Sequence, residues 1–515
     1  DKRTLIGCFT FFTAGCGVSL TCTGFLCGNL RGWSFFRLLG HNVPLFDGFE
    51  HKITGMDSSI PDVKTVVDLA FPRALSELCR LVRIPSVSWP AFGAENLEIS
   101  AKSIEDLASG IGIFDSVNVL RSLTSDGTTL GQPAIVARRE PAEGKPTVLL
   151  YAHHDVQPPG DASLWNSEPF EPVEREGRLY GRGAADDKAG IISHVTSLHL
   201  LTQLAESVDL GIVLFVEGEE EYGSPSFDQF LINHHELLSA DVIVVADSGN
   251  WDTSTPALTT SLRGNVTFQL TVKTLDHALH SGMFGGLVPD AFLALTKLVS
   301  SFYDTSGSVV VPGLHHSDPP SPPFSEERVR EESGLLPSVS PIGTGSYLSR
   351  LWNQPSITIT GLDMPSLENA SNTLIPSVTA RVSVRVAPGQ SSADALKAVT
   401  AHITANSPFG AEVEITDVNL GESFSADTSG WASQTYGEAL TASWGVPPIN
   451  MGVGGSIPFI SSFVAAFPDA QVLVTGVEDP DSRAHSPNES LHIESFKKAI
   501  EAELLFLLAC NSASH

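Results

Sequence analysis

Tyr151-Ala152-His153-His154-Asp155-Val156-Gln157-Pro158 is the stretch around which this sequence is organised. The apolar, β-forming residues 147–151 lead into it and predict a buried parallel strand. Because side chains alternate along an extended segment, His153 and Asp155 share one face and His154 takes the other. A carboxylate two residues from an imidazole can orient a metal-binding histidine. The pattern indicates a site at the carboxyl end of a strand, although a lone His-x-Asp is more often an ordinary loop.

Length, charge and cysteine content limit what this protein can be. The chain has 515 residues, more than one ordinary core holds, so two or three domains are expected. The formal net charge is −29, from 30 basic and 59 acidic residues, which argues against nucleic acid and an anionic membrane as partners. Beyond residue 30 the only cysteines are Cys79 and Cys510, which is typical of the reducing cytoplasm and not of a disulfide scaffold.

Residues 1–55 differ from the rest of the chain. They are apolar and rich in Cys, Gly and Thr after Lys2 and Arg3, and a more ordinary sequence begins at Met56. We interpret them as a non-native or flexible upstream extension that lies outside the fold; the alternative is a genuine export or anchoring segment. No stretch of residues 56–515 is apolar for long enough to span a bilayer, so no membrane contact is expected there.

Two more apolar strands are predicted to end in acidic residues. Residues 212–216 lead into Glu217-Gly218-Glu219-Glu220-Glu221-Tyr222-Gly223-Ser224, and residues 242–246 lead into Asp247. Successive acids usually form a solvated loop, but unpaired charge at the end of a core strand is unfavourable unless a cation lies there. These strand ends therefore indicate metal ligands.

A glycine-bracketed turn, residues 177–183, leads into Asp186-Asp187 at the start of a predicted helix. The helix dipole and the free backbone amides favour carboxylates at this position, so helix capping is one explanation. A single aspartate suffices for a cap, however, and the glycines indicate a backbone held in a special conformation.

The character of the sequence changes after Ser261. Residues 266–272 alternate between apolar and polar, as a half-exposed antiparallel strand does. Further elements are predicted as strands at 356–360, 380–386 and 412–418 and as helices at 289–302 and 393–405. Residues 305–345 are rich in Pro, Ser and Glu and predict a surface excursion. The whole pattern predicts an α/β protein with a compact α+β unit inserted into its first domain.

Five side chains can be collected around one centre, namely His153, Asp186, Glu221, Asp247 and His485. Two imidazoles and three carboxylates suit zinc, and also cobalt or manganese. They outnumber the ligands of one four-coordinate ion, so two ions that share a carboxylate are expected. Such a pair can generate hydroxide at neutral pH and stabilise a tetrahedral intermediate, and Glu220 is available to take the proton of the water.

The chain resembles the di-zinc metallopeptidase family that includes aminoacylase, carnosinase-like dipeptidases, glutamate carboxypeptidase, acetylornithine deacetylase and succinyl-diaminopimelate desuccinylase. The likeness is greatest to the carnosinase-like dipeptidases and covers roughly residues 60 to 510. The matching motifs follow the family's order and are Tyr151 to Pro158, Tyr180-Gly181-Arg182-Gly183-Ala184-Ala185-Asp186-Asp187-Lys188, Glu217 to Ser224, Asp247-Ser248, His280-Ser281-Gly282, Gly454-Gly455-Ser456-Ile457-Pro458 and His485-Ser486-Pro487-Asn488-Glu489.

The resemblance implies a fold and a domain plan. It implies a mixed-sheet zinc-peptidase catalytic domain built from residues 56–261 and 421–515. Residues 262–420 would form an inserted α+β lid or dimerisation domain. The Asp186-Asp187 bond is a candidate for the cis peptide seen in relatives.

The resemblance also implies the metal ligands. Asp186 would bridge two zinc ions, one completed by His153 and Asp247 and the other by Glu221 and His485. The register within Glu219-Glu220-Glu221 is set by the following residues and could slip by one.

Further residues would take part in catalysis through the same resemblance. Asp155 would orient His153, and Glu220 would act as general base and later as acid. His280, on the lid, would reach the site of a neighbouring subunit and polarise the scissile carbonyl, which would make a homodimer part of the mechanism; the alternative is a turn residue. His194 is interpreted as a surface or packing residue.

Substrate binding is expected from Gly455 and Ser456 in the glycine-rich loop and from Arg385 on a predicted strand, whose guanidinium can hold a carboxylate at two points. Carnosinase-like relatives often carry Arg at the position of Gly452, which puts recognition by that residue in doubt. We expect hydrolysis of dipeptides or other small peptides. The alternatives are an N-acyl-amino-acid deacylase or desuccinylase, and an inactive binding homologue, which would lack a ligand or the base.

Overall fold

The structure is a computed structural model that describes residues 62–455 and 458–513. The interpretation of residues 1–55 as an extension therefore lies outside the described residues, as does Ser456. Within the described ranges, no helix is both long and apolar enough to cross a membrane.

The strands of the described residues are numbered in chain order. They are β1 (Ser116–Leu120), β2 (Ala134–Arg139), β3 (Thr147–His153), β4 (Val173–Arg175), β5 (Arg178–Tyr180), β6 (Gly211–Glu217), β7 (Val242–Val245), β8 (Ala257–Leu262), β9 (Gly264–Lys273), β10 (Leu279–His280), β11 (Ser356–Asp363), β12 (Thr373–Leu374), β13 (Ser377–Val386), β14 (Glu412–Gly421), β15 (Phe424–Ser425), β16 (Ile449–Val453), β17 (Gln471–Val474) and β18 (Ser490–His492).

The α-helices of the same residues are also numbered in chain order. They are α1 (Val63–Val82), α2 (Glu95–Ile111), α3 (Lys188–Leu204), α4 (Phe227–Asn233), α5 (His235–Leu238), α6 (Ser281–Phe284), α7 (Ala291–Ser300), α8 (Glu326–Ser333), α9 (Tyr347–Trp352), α10 (Ser392–Ala405), α11 (Trp431–Trp444), α12 (Pro458–Ala466) and α13 (Ile493–Ser512).

A mixed sheet with the order β1-β2-β6-β3-β7-β17-β8-β15 forms the centre of the part that carries the candidate ligands, and β16 pairs with β8. β3 lies between β6 and β7, runs parallel to both, and is buried along its whole length. Strands with apolar side chains on both faces need a layer on each side. Helices α1, α3 and α13 supply one layer, and a cluster of phenylalanines that includes Phe215, Phe227 and Phe463 lies on the other side.

A second, antiparallel sheet with the order β11-β13-β9-β14 lies between residues 264 and 421. Burial alternates along β9 and β13, so each strand turns one face inward and one outward. The inner face packs against α7 and α10 around Phe268 and Leu298. The alternation of residues 266–272 thus predicted this strand type correctly. The expected α/β class with a mixed sheet is confirmed.

Candidate metal centre

Three parallel strands bring candidate ligands to one edge of the mixed sheet. His153 ends β3 and is paired with Glu217, the last residue of β6. Tyr151 of β3 is paired with Val245, the last residue of β7. The segments that follow these strands therefore start side by side, which explains how residues far apart in sequence meet at one place.

The side chains at this edge form two groups that share Asp186. The Nε2 atom of His153 lies 3.1 Å from Asp186 Oδ1 and 3.8 Å from Asp247 Oδ1. The Nε2 atom of His485 lies 3.1 Å from Asp186 Oδ2 and 3.2 Å from Glu221 Oε2. Within each group the ligand atoms lie within 4.8 Å of one another. Each oxygen of Asp186 thus faces a different group, as a bridging carboxylate does.

The imidazole of His153 is held in one orientation from behind. Its Nδ1 lies 3.1 Å from the carbonyl oxygen of Asp155 and 3.4 Å from Asp155 Oδ1. With Nδ1–H donating there, Nε2 faces Asp186 and Asp247 and is the ring atom that would bind a metal. Asp155 therefore lies where the sequence pattern placed it, two residues on and against the ring.

The three consecutive glutamates have different environments. Glu219 is structural, because its carboxylate accepts hydrogen bonds from the backbone N–H of Gln132 and of Ser226, each at 2.8 Å. Glu221 faces His485 and accepts from Gln157 Nε2 at 2.7 Å. Among the described residues, the carboxylate of Glu220 makes no hydrogen bond. This arrangement agrees with the register in which Glu221 is a ligand and Glu220 is free for proton transfer.

Burial or neighbouring charges raise the pKa values of Glu220, Glu221 and His485, whereas a bound cation would lower all three. Burial and the neighbouring Asp247 raise the pKa of Glu220 well above its usual range. Burial and Asp186 raise the pKa of Glu221 to about 7. Hydrogen bonds to Asp186 and Glu221 raise the pKa of His485 to about 11. Two imidazoles and three carboxylates with one shared are a donor set that fits two zinc ions.

A buried ion pair fixes the backbone around Asp186. Arg182 Nη1 lies 2.7 Å from Glu489 Oε2, and both side chains are almost fully buried. Glu489 also accepts hydrogen bonds from the N–H of Gly183, Ala185 and Asp186 at 3.1, 3.1 and 3.3 Å. The Asp186-Asp187 peptide bond is cis, which confirms the expectation for this bond. The hydrogen bonds of Glu489 thus hold the main chain that carries the shared carboxylate of Asp186.

The site residues predicted outside the two groups lie elsewhere. His280 is an exposed residue of β10, and its Nδ1 accepts a hydrogen bond from Gly282 N–H at 3.1 Å. No contact among the described residues joins it to either ligand group of its own chain. Arg385 lies on β13, and Gly455 follows β16. Their roles and that of His280 remain predictions.

The sequence model described as Peptidase family M20/M25/M40 matches residues 149–509. The chain belongs to this family. A Cysteinylglycine-S-conjugate dipeptidase of Corynebacterium striatum is 34% identical to it over 85% of this chain and 95% of the relative. A Beta-Ala-His dipeptidase of Mus musculus is 28% identical over 77% of this chain and 83% of the relative. The family predicted from the motifs is confirmed.

Solved structures share the fold of this M20 peptidase. The di-peptidase Dug1p of Saccharomyces cerevisiae has a TM-score of 0.72 and 26% identity, and the match covers 89% of this chain and 100% of that chain. Human carnosine dipeptidase 1 has a TM-score of 0.70 and 24% identity over 88% of this chain and 100% of that one, and so shows the fold alone.

Sequence reasoning missed several residues of the peptidase that lie next to the site. Arg263 follows β8 and donates to the carbonyl oxygens of Gly454 and Gln354 at 3.0 and 3.2 Å. Burial and the charge of Arg385 lower the pKa of Arg263 to about 10, so the two guanidinium groups are neighbours. Glu478 lines the cleft beside the metal ligands, and burial raises its pKa well above its usual range. Arg263 could have been recognised from the sequence, because it lies where the pattern changes from the strands of the first sheet to those of the second.

The surface excursion of the peptidase, residues 305–345, was predicted without a role. It contains α8, and its residues Phe324, Arg328 and Glu332 line the cleft next to the metal ligands. The composition of the segment, which is rich in Pro, Ser and Glu, does not indicate that it lies beside the cleft. The contacts that place these three residues come from parts of the chain that are far away in sequence.

Proposed function

We propose that this protein hydrolyses the peptide bond of dipeptides or other short peptides, with Glu220 as general base. The observation that carries the proposal is the sharing of Asp186 between two ligand groups beside a carboxylate that makes no hydrogen bond among the described residues. The relatives named cysteinylglycine-S-conjugate dipeptidase and Beta-Ala-His dipeptidase support a dipeptide substrate.

Two Zn²⁺ ions per chain would fit the ligand groups, and Co²⁺ or Mn²⁺ suit the same donors. His153 and Asp247 would hold one, Glu221 and His485 the other, and Asp186 would bind both. When bound, such a pair lowers the pKa of water and withdraws charge from the scissile carbonyl.

Glu220 carries the proton in this proposal. Its carboxylate makes no hydrogen bond among the described residues, so it would be available to take a proton from the attacking water and to donate it to the leaving nitrogen. Asp155 supports that role, because its carboxylate accepts the backbone N–H of Glu220 at 3.1 Å and of Glu221 at 3.0 Å. It thereby fixes the loop that carries both the base and a ligand.

Arg385 would hold a carboxylate of the substrate together with the loop residues Gly455 and Ser456. Its proximity to Arg263, which hydrogen-bonds Gly454 in the same loop, supports this assignment. Two neighbouring guanidinium groups favour an anion between or beside them.

His280 would complete the site of a second subunit in a homodimer. Supporting this, the inserted segment we assign to residues 262–420 exposes large apolar side chains near His280, namely Met283 at 75% and Leu287 at 85%. Exposed apolar surface of this kind is typical of protein interfaces. This segment would be the lid, with residues 56–261 and 421–515 as the catalytic domain.

Complementation tests the homodimer. His280→Ala and Glu220→Gln should each be inactive alone. In a mixed dimer, one site would combine an intact Glu220 with the partner's intact His280, so random mixing should restore about a quarter of wild-type activity. No restoration in a verified mixed dimer would exclude action across subunits.

A cytoplasmic location is supported by Cys79 and Cys510, which are both buried and form no disulfide among the described residues. Cysteines without disulfides in the body of a chain suit a reducing compartment.

An N-acyl-amino-acid deacylase remains the second candidate. The zinc-loaded protein should be assayed against a panel of dipeptides and against N-acetyl and N-succinyl amino acids, with metal analysis of the same sample. We expect about two ions per chain and turnover of dipeptides. Turnover of N-acyl amino acids alone would overturn the dipeptidase proposal, and fewer than about two ions would overturn the two-metal site. Asp186→Ala is the control that should lose both ions.

A further inference from the structure

A cleft of about 500 Å³ lies beside the candidate metal centre. Asp186, Asp247 and His485 line one end of it. The rest of the wall includes the charged residues Arg328, Glu332, Glu478 and Asp479, and its large apolar side chains are Trp251, Phe324, Leu348, Leu351, Trp352 and Met451. A peptide whose scissile bond lies at the ligands would therefore place a neighbouring side chain against this wall.

Three aromatic rings dominate that wall, and we call Trp251, Phe324 and Trp352 the aromatic pocket. The ring of Trp251 meets Phe324 at a centroid distance of 5.8 Å and Trp352 at 6.3 Å, both edge to face. Trp251 lies only four residues after the ligand Asp247. The pocket is therefore connected to the metal centre through one short loop.

That loop is held rigidly. Asn250 is buried, its backbone N–H donates to the carbonyl oxygen of Glu478 at 2.8 Å, and its Nδ2 donates to that of Gly476 at 3.1 Å. These contacts hold the main chain of the loop between Asp247 and Trp251 in place. A pocket at a fixed distance from the reacting bond can select substrates by side-chain size.

Arg328 positions the rings and adds no free charge. Its guanidinium carbon lies 4.2 Å from the centroid of Trp251 and 4.9 Å from that of Phe324. Its Nη2 donates to the carbonyl oxygen of Trp251 at 2.6 Å, and its Nε donates to Glu332 Oε1 at 2.5 Å. Because Glu332 neutralises it, Arg328 adds no net charge beside the rings, and the three aromatic rings favour an uncharged partner.

Trp352 enters the cleft through a space that only glycine leaves open. A Cβ atom at Gly452 would lie 2.7 Å from Trp352 Cβ and 2.8 Å from Ser261 Oγ. A larger residue at position 452 would displace the indole. An aromatic ring therefore occupies the place beside Gly452.

We propose that the aromatic pocket binds one large uncharged side chain of the substrate, aromatic or long aliphatic, with Arg328 as a positioning residue. This inference rests on the proposed dipeptidase function and adds the class of side chain that the site prefers. Apolar area removed from water on both sides of the contact supplies the affinity.

The first test compares kcat/KM of the zinc-loaded full chain for Phe-Gly, Gly-Phe and Ala-Gly. The two Phe peptides distinguish a pocket for the amino-terminal residue from one for the carboxy-terminal residue. We expect one of them to exceed Ala-Gly at least about tenfold, mainly through KM.

Variants then assign the preference to the pocket. The preference is the ratio of kcat/KM for the better Phe peptide to kcat/KM for Ala-Gly. Phe324→Ala and Trp352→Ala should each lower this ratio at least about fivefold, whereas Phe324→Leu and Trp352→Phe should keep most of it. Leu336→Ala is the matched control, because Leu336 is 65% exposed in the same excursion and does not line the cleft. It should leave the ratio unchanged.

Binding separates the pocket from the reaction. Calorimetry on metal-loaded Glu220→Gln with the same peptides should show the same preference in Kd. Suppose that the wild type hydrolyses no dipeptide, but Glu220→Gln still binds a Phe peptide more tightly than Ala-Gly and the double variant Glu220→Gln/Phe324→Ala does not. The dipeptidase proposal would then be wrong, and the pocket proposal would stand. The pocket proposal would be overturned if the Phe peptides and Ala-Gly had equal kcat/KM and equal Kd. It would also be overturned if the ratio of kcat/KM for the Phe peptide to that for Ala-Gly were unchanged in both Phe324→Ala and Trp352→Ala.

Discussion

The carboxylate of Asp155 accepts a hydrogen bond from the backbone N–H of Glu220 at 3.1 Å. Asp155, which also contacts Nδ1 of the candidate ligand His153, therefore holds the segment that carries the candidate base Glu220 as well. Its other oxygen accepts from the N–H of Glu221 at 3.0 Å and from Ser88 Oγ at 2.6 Å. One buried carboxylate thus connects both ligand groups and the base.

Asp155→Asn should impair metal affinity and turnover together. Both carboxylate oxygens accept backbone N–H groups, so an amide NH₂ at either position would place a donor against a donor. Loss of such an orienting contact typically costs about 10–100-fold in metal affinity or activity. Zinc titration and kcat would measure it, with the exposed Asp161→Asn as control. An Asp155→Asn variant with wild-type values for both would contradict the assigned role.

Glu220→Gln should keep its metal and lose turnover. The amide cannot take a proton from water, so kcat should fall about 10²–10⁴-fold, while metal content stays at the wild-type value because Glu220 belongs to neither ligand group. Steady-state kinetics and elemental analysis on the same preparation test this. The exposed Glu206→Gln should change neither. Retained turnover would show that another residue is the base.

Removing one partner of the Arg182–Glu489 pair should destabilise the fold strongly. The side chains are 2% and 0% exposed, so the remaining charge would be buried without its partner. We expect Arg182→Met to cost about 3–5 kcal/mol in free energy of unfolding. Glu489→Gln should cost at least as much, since Glu489 also accepts backbone N–H groups of residues 183, 185 and 186.

Urea unfolding would measure these differences. The control is Arg80→Met, because Arg80 is 43% exposed and, within the described ranges, pairs only with Glu77 in the same helix, so its loss of ion pairing should cost about 0–1 kcal/mol. Equal losses at the buried and the exposed pair would contradict the prediction.

The buried pair of His194 and Glu503 should make stability depend on pH. Burial lowers the pKa of His194, but the charge and hydrogen bond of Glu503 outweigh burial and leave it raised. A raised folded-state pKa means that the pair stabilises fully below the unfolded histidine pKa, about 6.5, and that this contribution is lost as pH rises through the folded-state value.

The Tm difference between wild type and Glu503→Gln should therefore be larger at about pH 6 than at about pH 9. His277→Gln serves as control, because His277 and its partner Asp276 are exposed at 72% and 91%. A Glu503→Gln difference that is constant or grows with pH would contradict the assignment.

Gly452→Ala should destabilise the protein by overpacking. The new methyl group would lie 2.7 Å from Trp352 Cβ, which is fixed to its main chain, so α9 or β16 must shift. We expect a cost of about 1–3 kcal/mol. Gly421→Ala is the matched control, because its nearest neighbour would be 3.8 Å away. A neutral Gly452→Ala variant would show that the contact relaxes freely.

The positions of the candidate ligands were predictable because they follow from local patterns. An apolar run that ends in His153 or Asp247 indicates a core strand with a polar end, and parallel strands bring such ends to one edge. The Asp186-Asp187 pair was recognised from the glycines of the turn before it. Each of these signals lies within about ten residues of the ligand it marks.

The aromatic pocket and the supporting contacts depended on the tertiary structure instead. Arg328 lies 77 residues from its partner Trp251, and Glu489 lies 307 residues from Arg182. No periodicity connects such positions. Likewise, three adjacent glutamates look alike in sequence, and only their different neighbours make Glu219 structural and leave Glu220 free among the described residues. The sequence alone thus predicted which side chains meet at the candidate metal centre, because their signals are local, while packing between distant segments set the lining of the cleft beside them.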